Sequence, residues 1–389
     1  MSRCFRAKLK IKRSGVCFKI GVMKFNKTKP KNINRKFLLI LGLLLIFGLF
    51  VLFSASFIVG AKKFNDPSYY LKEQFFKGIL IGMAGFIIFS KISLEFLKKY
   101  SFLFLIFSIG LLILIFLPQL GFSHSGSTRW LSLGPVTFQP GELLKLSFLV
   151  YLASWLNSRR GDIKGFSGGL LPFLIIISIV GILLLMQPNM GTFSVIAISA
   201  AATYFVAGGK LNHLFITAII GIIALSAFIF FKPYATQRFR VFLNPHEDTA
   251  GASYQINQAL TSIGIGGVVG IGVNNNIVSP YLPETIGDSV FAVLGEKLGL
   301  FGVSFSIALY LLFAIFGYKI AMKSADYFSK LLATGITTWI VAQSFINMAA
   351  ISGLVPLTGV PLPFMSYGSS GLIVSLMGAG ILANISRYD

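Results

Sequence analysis

From residue 37 onward the chain alternates long apolar runs with short polar, Gly- or Pro-bearing connections. A helix needs about 20 apolar residues to cross a bilayer core. Ten runs approach that length: 37–60, 75–91, 100–118, 141–156, 170–187, 191–208, 213–231, 288–319, 328–352 and 364–385. Lipid offers no hydrogen-bond partners, so such runs span as helices that satisfy their own backbone. The pattern predicts an all-α integral membrane protein of about ten transmembrane helices. The eighth run is long enough to contain a kink near Gly299 and Gly302. Two connections are long, 119–140 and 232–287, and long connections usually carry function or are disordered. The second holds Gly-punctuated apolar sequence over 259–273, which is expected to fold back onto the membrane face. No soluble domain and no tandem repeat stand out. The organisation expected is a basic, disordered tail over 1–36 and one polytopic membrane domain over 37–389.

Composition agrees. Of the 389 residues 55% are hydrophobic and only 12% charged, with mean hydropathy +0.81. A soluble domain carries about 25% charged residues. The net charge of +22 could suit nucleic acid, but its distribution excludes that use. Thirteen Lys/Arg precede Phe37 with no acidic residue among them, directly before an apolar run. That is a topology signal with affinity for anionic lipid. Alternate connections hold Lys91, Lys98 and Lys99; Arg159, Arg160 and Lys164; Lys210; Lys319, Lys323 and Lys330; and finally Arg387. The positive-inside rule makes their side, and both termini, cytoplasmic. Lys62 and Lys63 are mild outer exceptions, offset by Asp66 and Glu73. Cys4 and Cys17 lie in the tail, where a reducing compartment keeps them as thiols. The tail makes a poor cleaved signal, and Met23 opens an equally good start.

Three of the twelve acidic residues, Glu142, Asp288 and Glu296, sit at the start of or inside apolar spans. An ionisable group there is a functional hypothesis by default. Glu142 and Lys145 share a helical face at i and i+3, in a first turn. Capping plus an intrahelical ion pair is the slightly favoured reading of that pair. Asp288 marks the entry of the second long loop into the eighth span. There it can cap the helix, or act as a base at the membrane surface; the residues alone leave both open. Glu296 reads as a structural polar contact. Arg129, Arg238 and Arg240 lie in the outer loops. Singly each reads as a solvated charge. Converging on one cavity with a carboxylate, they would suit a phosphate-bearing substrate. Weaker signals fail. Gly165-Phe166-Ser167-Gly168-Gly169 fits a nucleophile elbow but lies in a basic loop with no strand before it. His124, His213 and His246 share no metal spacing, and there is no P-loop. Gly264, Gly266, Gly267 and Gly270 suit tight backbone packing better than a phosphate nest.

Five ordered blocks resemble the SEDS family (shape, elongation, division and sporulation). They are Gly126-Ser127-Thr128-Arg129-Trp130-Leu131 with Phe138-Gln139-Pro140-Gly141-Glu142-Leu143-Leu144-Lys145; Gln187-Pro188-Asn189-Met190-Gly191-Thr192; residues 238–251 around Phe242-Leu243-Asn244-Pro245; Leu282-Pro283-Glu284 through Asp288-Ser289-Val290-Phe291-Ala292; and Gly359-Val360-Pro361-Leu362-Pro363-Phe364-Met365-Ser366-Tyr367-Gly368-Ser369-Ser370. Ser54-Ala55-Ser56 and Asp66-Pro67-Ser68-Tyr69-Tyr70 are more similar to the division-type branch than to the elongation-type branch. Three departures stand out. Gly141 replaces the usual Ser, Asn189 an Asp, and Ile286-Gly287 the usual His-Thr before the Asp.

The resemblance implies an inverting peptidoglycan glycosyltransferase that polymerises lipid II on the outer face of the bacterial cytoplasmic membrane, at the division septum. Asp288 would be the base. Arg129, Lys145 and Arg238 would steady the pyrophosphate leaving group, and Glu142 would orient Lys145 or help hold a divalent ion. Ser366 and Tyr367 would line a polar wall. The resemblance implies no organic cofactor and leaves room for a divalent cation, Mg or Mn. Implied partners are lipid II, undecaprenyl-pyrophosphate-linked glycan, a class B penicillin-binding transpeptidase and other divisome proteins, with no nucleic acid. The competing functions are a lipid II flippase, which a midspan cluster of ionisable residues would favour, a scaffold that activates a synthase, and an elongation-type polymerase.

Overall fold

The computed structural model describes residues 33–117, 120–124, 127–133, 136–245 and 253–388. The expected tail falls outside them up to residue 32, as do Cys4, Cys17, His246, Glu247 and Asp248. Only the backbone of His124 is among them.

The first span shows how local chemistry sets a helix here. The Asn34 side chain accepts the N–H groups of Lys36 and Phe37 at 3.1 and 3.3 Å, capping α1 (Arg35–Phe64). The helix stops where Asn65 turns left-handed, φ 53°, and returns its N–H to Ala61. Lys62 and Lys63 complement the negative helix end. Next, α2 (Tyr69–Glu73) runs through a π-helical stretch (Gln74–Leu80) into α3 (Ile81–Lys91), then α4 (Leu94–Lys99) and α5 (Ser101–Leu114). Then come α6 (Pro140–Ser158), α7 (Leu171–Met186), α8 (Met190–Val206) and α9 (Leu211–Phe231). The second long connection holds α10 (Pro233–Leu243) and α11 (Tyr254–Gly266). The bundle is completed by α12 (Val290–Lys323), α13 (Tyr327–Ile351) and α14 (Ser369–Ile385).

Among the described residues seven helices are long and apolar enough to cross a membrane. The α5 and α8 helices are apolar but shorter, and α6 carries Glu142 and Lys145 near its start. The chain is therefore a helical membrane protein, while ten crossings stay an expectation of the sequence pattern. The last helix starts five residues later than the apolar run, because 352–368 forms a loop that re-enters the bundle. The first long connection is not all loop. It forms an antiparallel sheet of β1 (Gly121–His124), β2 (Ser127–Leu133) and β3 (Val136–Phe138), in that order. Strands this short do not display a readable period of two.

The core is α13, which packs on α6, α8, α12 and α14 and buries 78% of its apolar stretch. By contrast, α9 buries none of its apolar stretch. At one end of the bundle the start of α1, the end of α3 and the end of α14 meet. The Asn34 N–H donates to Ser386 Oγ at 3.2 Å and Arg387 Nη1 donates to Ser90 O at 3.3 Å. The long connections gather at the other end.

The expected kink in α12 falls at Gly299, φ 58° and ψ −155°. The segment after α11 crosses at this break. Ile271 and Gly272 donate to Glu296 O and Lys297 O at 3.0 and 3.1 Å, and Leu300 donates back to Gly267 O at 2.9 Å. Glu296, fully buried, fixes the next turn of the same loop. Its carboxylate accepts the N–H groups of Ile277 and Ser279 at 2.9 and 2.8 Å and the Ser262 hydroxyl at 2.7 Å. A Cβ on Gly299 would stand 2.5 Å from Gly270 N and 2.7 Å from Val268 O. Gly299→Ala therefore meets backbone that cannot yield, on top of about 1–2 kcal/mol of left-handed strain. A clear fall in the unfolding temperature of the detergent-solubilised protein is expected, and an unchanged one would contradict this account of the break.

Candidate functional site

At the end of the bundle that gathers the long connections lies a cavity of about 940 Å³, the upper part of the range for ligand sites. Its walls include Arg129, Arg238, Asp288, Asn347, Gly359 and Tyr367.

The small sheet presents Arg129 to the turn between α7 and α8. Its Nε donates to Gln187 O at 3.4 Å and its Nη2 to Pro188 O. Gln187 is itself buried and donates to Leu112 O at 3.0 Å, and Asn189 caps α8 through Thr192 N. The Gln187-Pro188-Asn189 block is thus a carbonyl cradle for a guanidinium. The Asn that replaces the family's Asp keeps the capping acceptor without the charge. Arg238 comes from α10, a helix opened by Pro233. Its guanidinium lies 4.6 Å from the centre of the Tyr234 ring, and Nη1 donates to Leu357 O at 2.6 Å. Burial lowers its pKa, Tyr234 opposes that, Arg129 adds to the lowering and Asp288 counters it.

Asp288 lies one residue before the N-cap of α12, a position held by Ser289. The backbone carbonyl of Asp288 accepts Asn347 Nδ2 at 2.8 Å. These separate segments meet at Gly359. A Cβ built there would lie 3.4 Å from Asp288 Oδ2, 3.6 Å from Arg129 Nη1 and 3.7 Å from Arg238 Nη1. Gly359 also has φ of +67°, where a side chain is strained. A carboxylate and two guanidiniums therefore surround one point that has to stay free of a side chain. Such a set can accept a proton and neutralise phosphate oxygens side by side.

Glu142 and Lys145 are brought together but set apart from that point. Both are buried, with Lys145 Nζ donating to Glu142 Oε1 at 2.9 Å and to Gln343 Oε1 at 2.5 Å. The ammonium lies 5.2 Å from the centre of the Trp339 ring, and Trp339 Nε1 also donates to Gln343. Glu142 Oε2 has no hydrogen-bond partner and faces Gly371, which lines the cavity. The Ser366 hydroxyl is engaged by the backbone. It accepts Leu362 N at 2.8 Å and donates to Gly287 O at 2.7 Å. Tyr367 donates its N–H to Ile286 O at 2.8 Å, and its ring stands edge-on to Tyr70. Among the described residues no three His, Cys, Asp or Glu side chains form a metal cluster.

Gln343, Asn347 and Gly359 carry no charge that marks them in the sequence. Gln343 Nε2 donates to Pro361 O at 2.9 Å, and Asn347 Nδ2 to Val360 O at 2.7 Å. One α13 face thus pins the loop carrying Gly359, the Asp288 backbone and the buried ion pair. The signal was available: two amides spaced by four in an otherwise apolar helix share a face.

A membrane-embedded helical bundle with this charged cavity defines a polytopic membrane enzyme class, and relatives place it further. Residues 34–389 match the model of the FtsW/RodA/SpoVE family, described as cell cycle protein, and the chain belongs to that family. The probable peptidoglycan glycosyltransferase FtsW of Geobacter sulfurreducens is 36% identical over 343 residues, covering 87% of this chain and 91% of that protein. Stage V sporulation protein E of Bacillus subtilis is 33% identical over 364 residues, covering 93% and 99%. A chain solved in a study of how a peptidoglycan synthase complex coordinates polymerisation and crosslinking superposes with a TM-score of 0.76, at 25% identity, over 91% of this chain and 98% of that one.

The buried pair makes a stability prediction. Glu142→Ala leaves Lys145 in the core without its carboxylate, which costs about 3–5 kcal/mol. The double change Glu142→Leu with Lys145→Met removes both charges at similar volume and should recover most of that loss. Thermal unfolding of single and double variants measures the difference, and a double variant no more stable than the single one would refute the pairing argument.

Proposed function

We propose that this protein is a peptidoglycan glycosyltransferase that polymerises lipid II on the outer face of the bacterial cytoplasmic membrane. The convergence of Asp288, Arg129 and Arg238 on Gly359 carries the reading. Asp288 takes the proton of the acceptor lipid II 4-hydroxyl. That oxygen bonds to the anomeric carbon of the growing lipid-linked glycan while the bond from this carbon to the pyrophosphate oxygen breaks. Undecaprenyl pyrophosphate leaves with the electron pair, and the centre inverts. Negative charge grows on the leaving oxygen, and fixed cations beside it stabilise it efficiently. Arg129 and Arg238 are those cations. Each is held by backbone carbonyls, so little reorganisation is needed as the charge develops. The Glu142–Lys145 pair, through Gln343, keeps the α13 wall in place, and Ser366 ties the loop before α14 to the loop ending in Asp288.

A divalent cation, Mg²⁺ or Mn²⁺, would meet Asp288 and Glu284 on the cavity wall. Such ions use one or two carboxylates together with substrate phosphates. Bound there, an ion would add charge neutralisation at the leaving group.

The proposed topology has the end where Asn34, Ser90 and Arg387 meet on the cytoplasmic side, with the cavity opposite, as the charge distribution of the connections supports. The FtsW relatives support a role at the division septum, together with other divisome proteins. The similar chain from a peptidoglycan synthase complex supports a class B penicillin-binding transpeptidase as partner.

The test is glycan polymer formation from lipid II by the purified protein, alone and with a partner transpeptidase. Asp288→Asn should lower the rate about 10²–10⁴-fold, the usual contribution of a general base. Undiminished polymerisation by a folded Asp288→Asn protein would sink the assignment of the base. Lipid II translocation without polymerisation would favour a transporter. Asn347→Leu frees the Asp288 carbonyl and the Gly359 loop, so kcat should fall about tenfold with KM little changed. A change confined to KM would instead assign Asn347 to binding.

A further inference from the structure

The cavity has a second pole that the proposed chemistry leaves unused. Phe64 at the end of α1, Tyr69 and Tyr70 at the start of α2, and Tyr367 before α14 all line it. Phe64 stacks on Tyr69 with centroids 3.7 Å apart, Tyr70 meets the edges of Tyr69 and Phe64 at 5.4 and 5.7 Å, and Tyr367 stands edge-on to Tyr70 at 5.1 Å. Lys63 Nζ lies 5.5 Å from the centre of the Phe64 ring. Phe64 therefore backs Tyr69, and Tyr70, which is buried, bridges the pair to Tyr367.

An aromatic belt at a membrane surface presents its rings to lipid headgroups. These rings instead wall a cavity whose other pole is charged. Tyrosine suits a surface with one apolar face and one wet edge. Burial, reinforced by Glu73, pushes the Tyr367 hydroxyl up to about 12, so it stays neutral and able to donate. The two poles are mechanically joined. Tyr367 N–H holds Ile286 O, and Ser366 Oγ holds Gly287 O, the residue before Asp288. Whatever rests on the rings is therefore in register with the base.

We infer that Tyr69 and Tyr367, backed by Phe64 and Tyr70, form a saccharide subsite that takes an uncharged pyranose of the glycan. The C–H face of a pyranose carries weak positive charge and lies against the negative face of an aromatic ring. Its hydroxyls meet the tyrosine edges. The cavity thus offers guanidiniums for a pyrophosphate and tyrosine rings for the sugars that carry it. This subsite rests on the glycosyltransferase reading and deepens it.

The test separates the two. The full-length protein in nanodiscs is titrated with a β-1,4-linked N-acetylglucosamine tetramer, which carries no pyrophosphate, and binding is followed by saturation-transfer NMR. Wild type and Asp288→Asn should bind alike. Tyr69→Leu and Tyr367→Leu should each weaken binding about tenfold, equivalent to about 1.4 kcal/mol. Tyr69→Phe keeps the ring and should stay within about twofold. Tyr69 and Tyr367 are only partly buried, and monodisperse elution checks each fold. Leucine variants that bind like wild type overturn the subsite, as does a wild type that polymerises lipid II yet ignores the tetramer. Displacement of an alkyl detergent from the rings, with no response to the tetramer, overturns it in favour of a lipid chain. Tetramer binding by a wild type that forms no polymer sinks the glycosyltransferase reading and leaves the saccharide subsite standing.

Discussion

Two side-chain amides on one face of α13 hold the functional end together. Gln343 and Asn347 have their N–H groups committed to carbonyls of the loop beyond α13, and Asn347 also to the carbonyl of Asp288. A buried backbone carbonyl without a partner is costly, so these contacts are strongly specified. The consequence reaches three elements at once. The loop is pulled in so that Gly359 sits among charges, α12 starts with its carboxylate beside that loop, and Gln343 takes up the Lys145 ammonium from α6. Remove the amides, and the charges have no reason to share one point.

The charged site is assembled under the same constraint. Both arginines are tethered through backbone carbonyls, Arg129 by the Gln187–Pro188 turn and Arg238 by Leu357. A guanidinium has donors in several directions. Arg129 can spend its Nε and Nη2 on the scaffold while its Nη1 points to the Gly359 locus. Carbonyl tethers place the cations, and Asp288 Oδ2 stands at the same locus as their free Nη1 groups. The Glu142–Lys145 pair shows the other arrangement, an ammonium held by a carboxylate at 2.9 Å.

Much of this was legible in the sequence. The apolar runs located most helices within a few residues, because twenty lipid-facing residues leave an unambiguous pattern. The break in α12 was readable from its length and glycines. Asp288 stood out as a carboxylate at the start of an apolar span, whereas Arg129 and Arg238, loop charges when read singly, gained roles only from the resemblance of their blocks. What stayed hidden depends on encounters between distant segments. No local pattern says that Gly359 meets residues 71, 121 and 230 positions away in the chain. The strands of 119–140 were too short to show alternation. Ser366 lines the cavity, while the partners of its hydroxyl, Leu362 N and Gly287 O, are set by the fold. Gln343 and Asn347 carried a helical-face signal that charge-centred reading passes over.

The break at Gly299 has a consequence for biogenesis. Membrane helices are commonly pictured as inserting singly and associating afterwards. A helix interrupted in the apolar layer cannot follow that order freely, since its exposed peptide groups have no partners in lipid. Here those groups are bonded to the turn segment after α11, through Gly267, Ile271 and Gly272. The longest helix among the described residues is therefore finished by a segment that precedes it in the chain. Cotranslational assembly has to deliver that segment to the membrane first and keep it there, so the loop acts as an internal chaperone for α12.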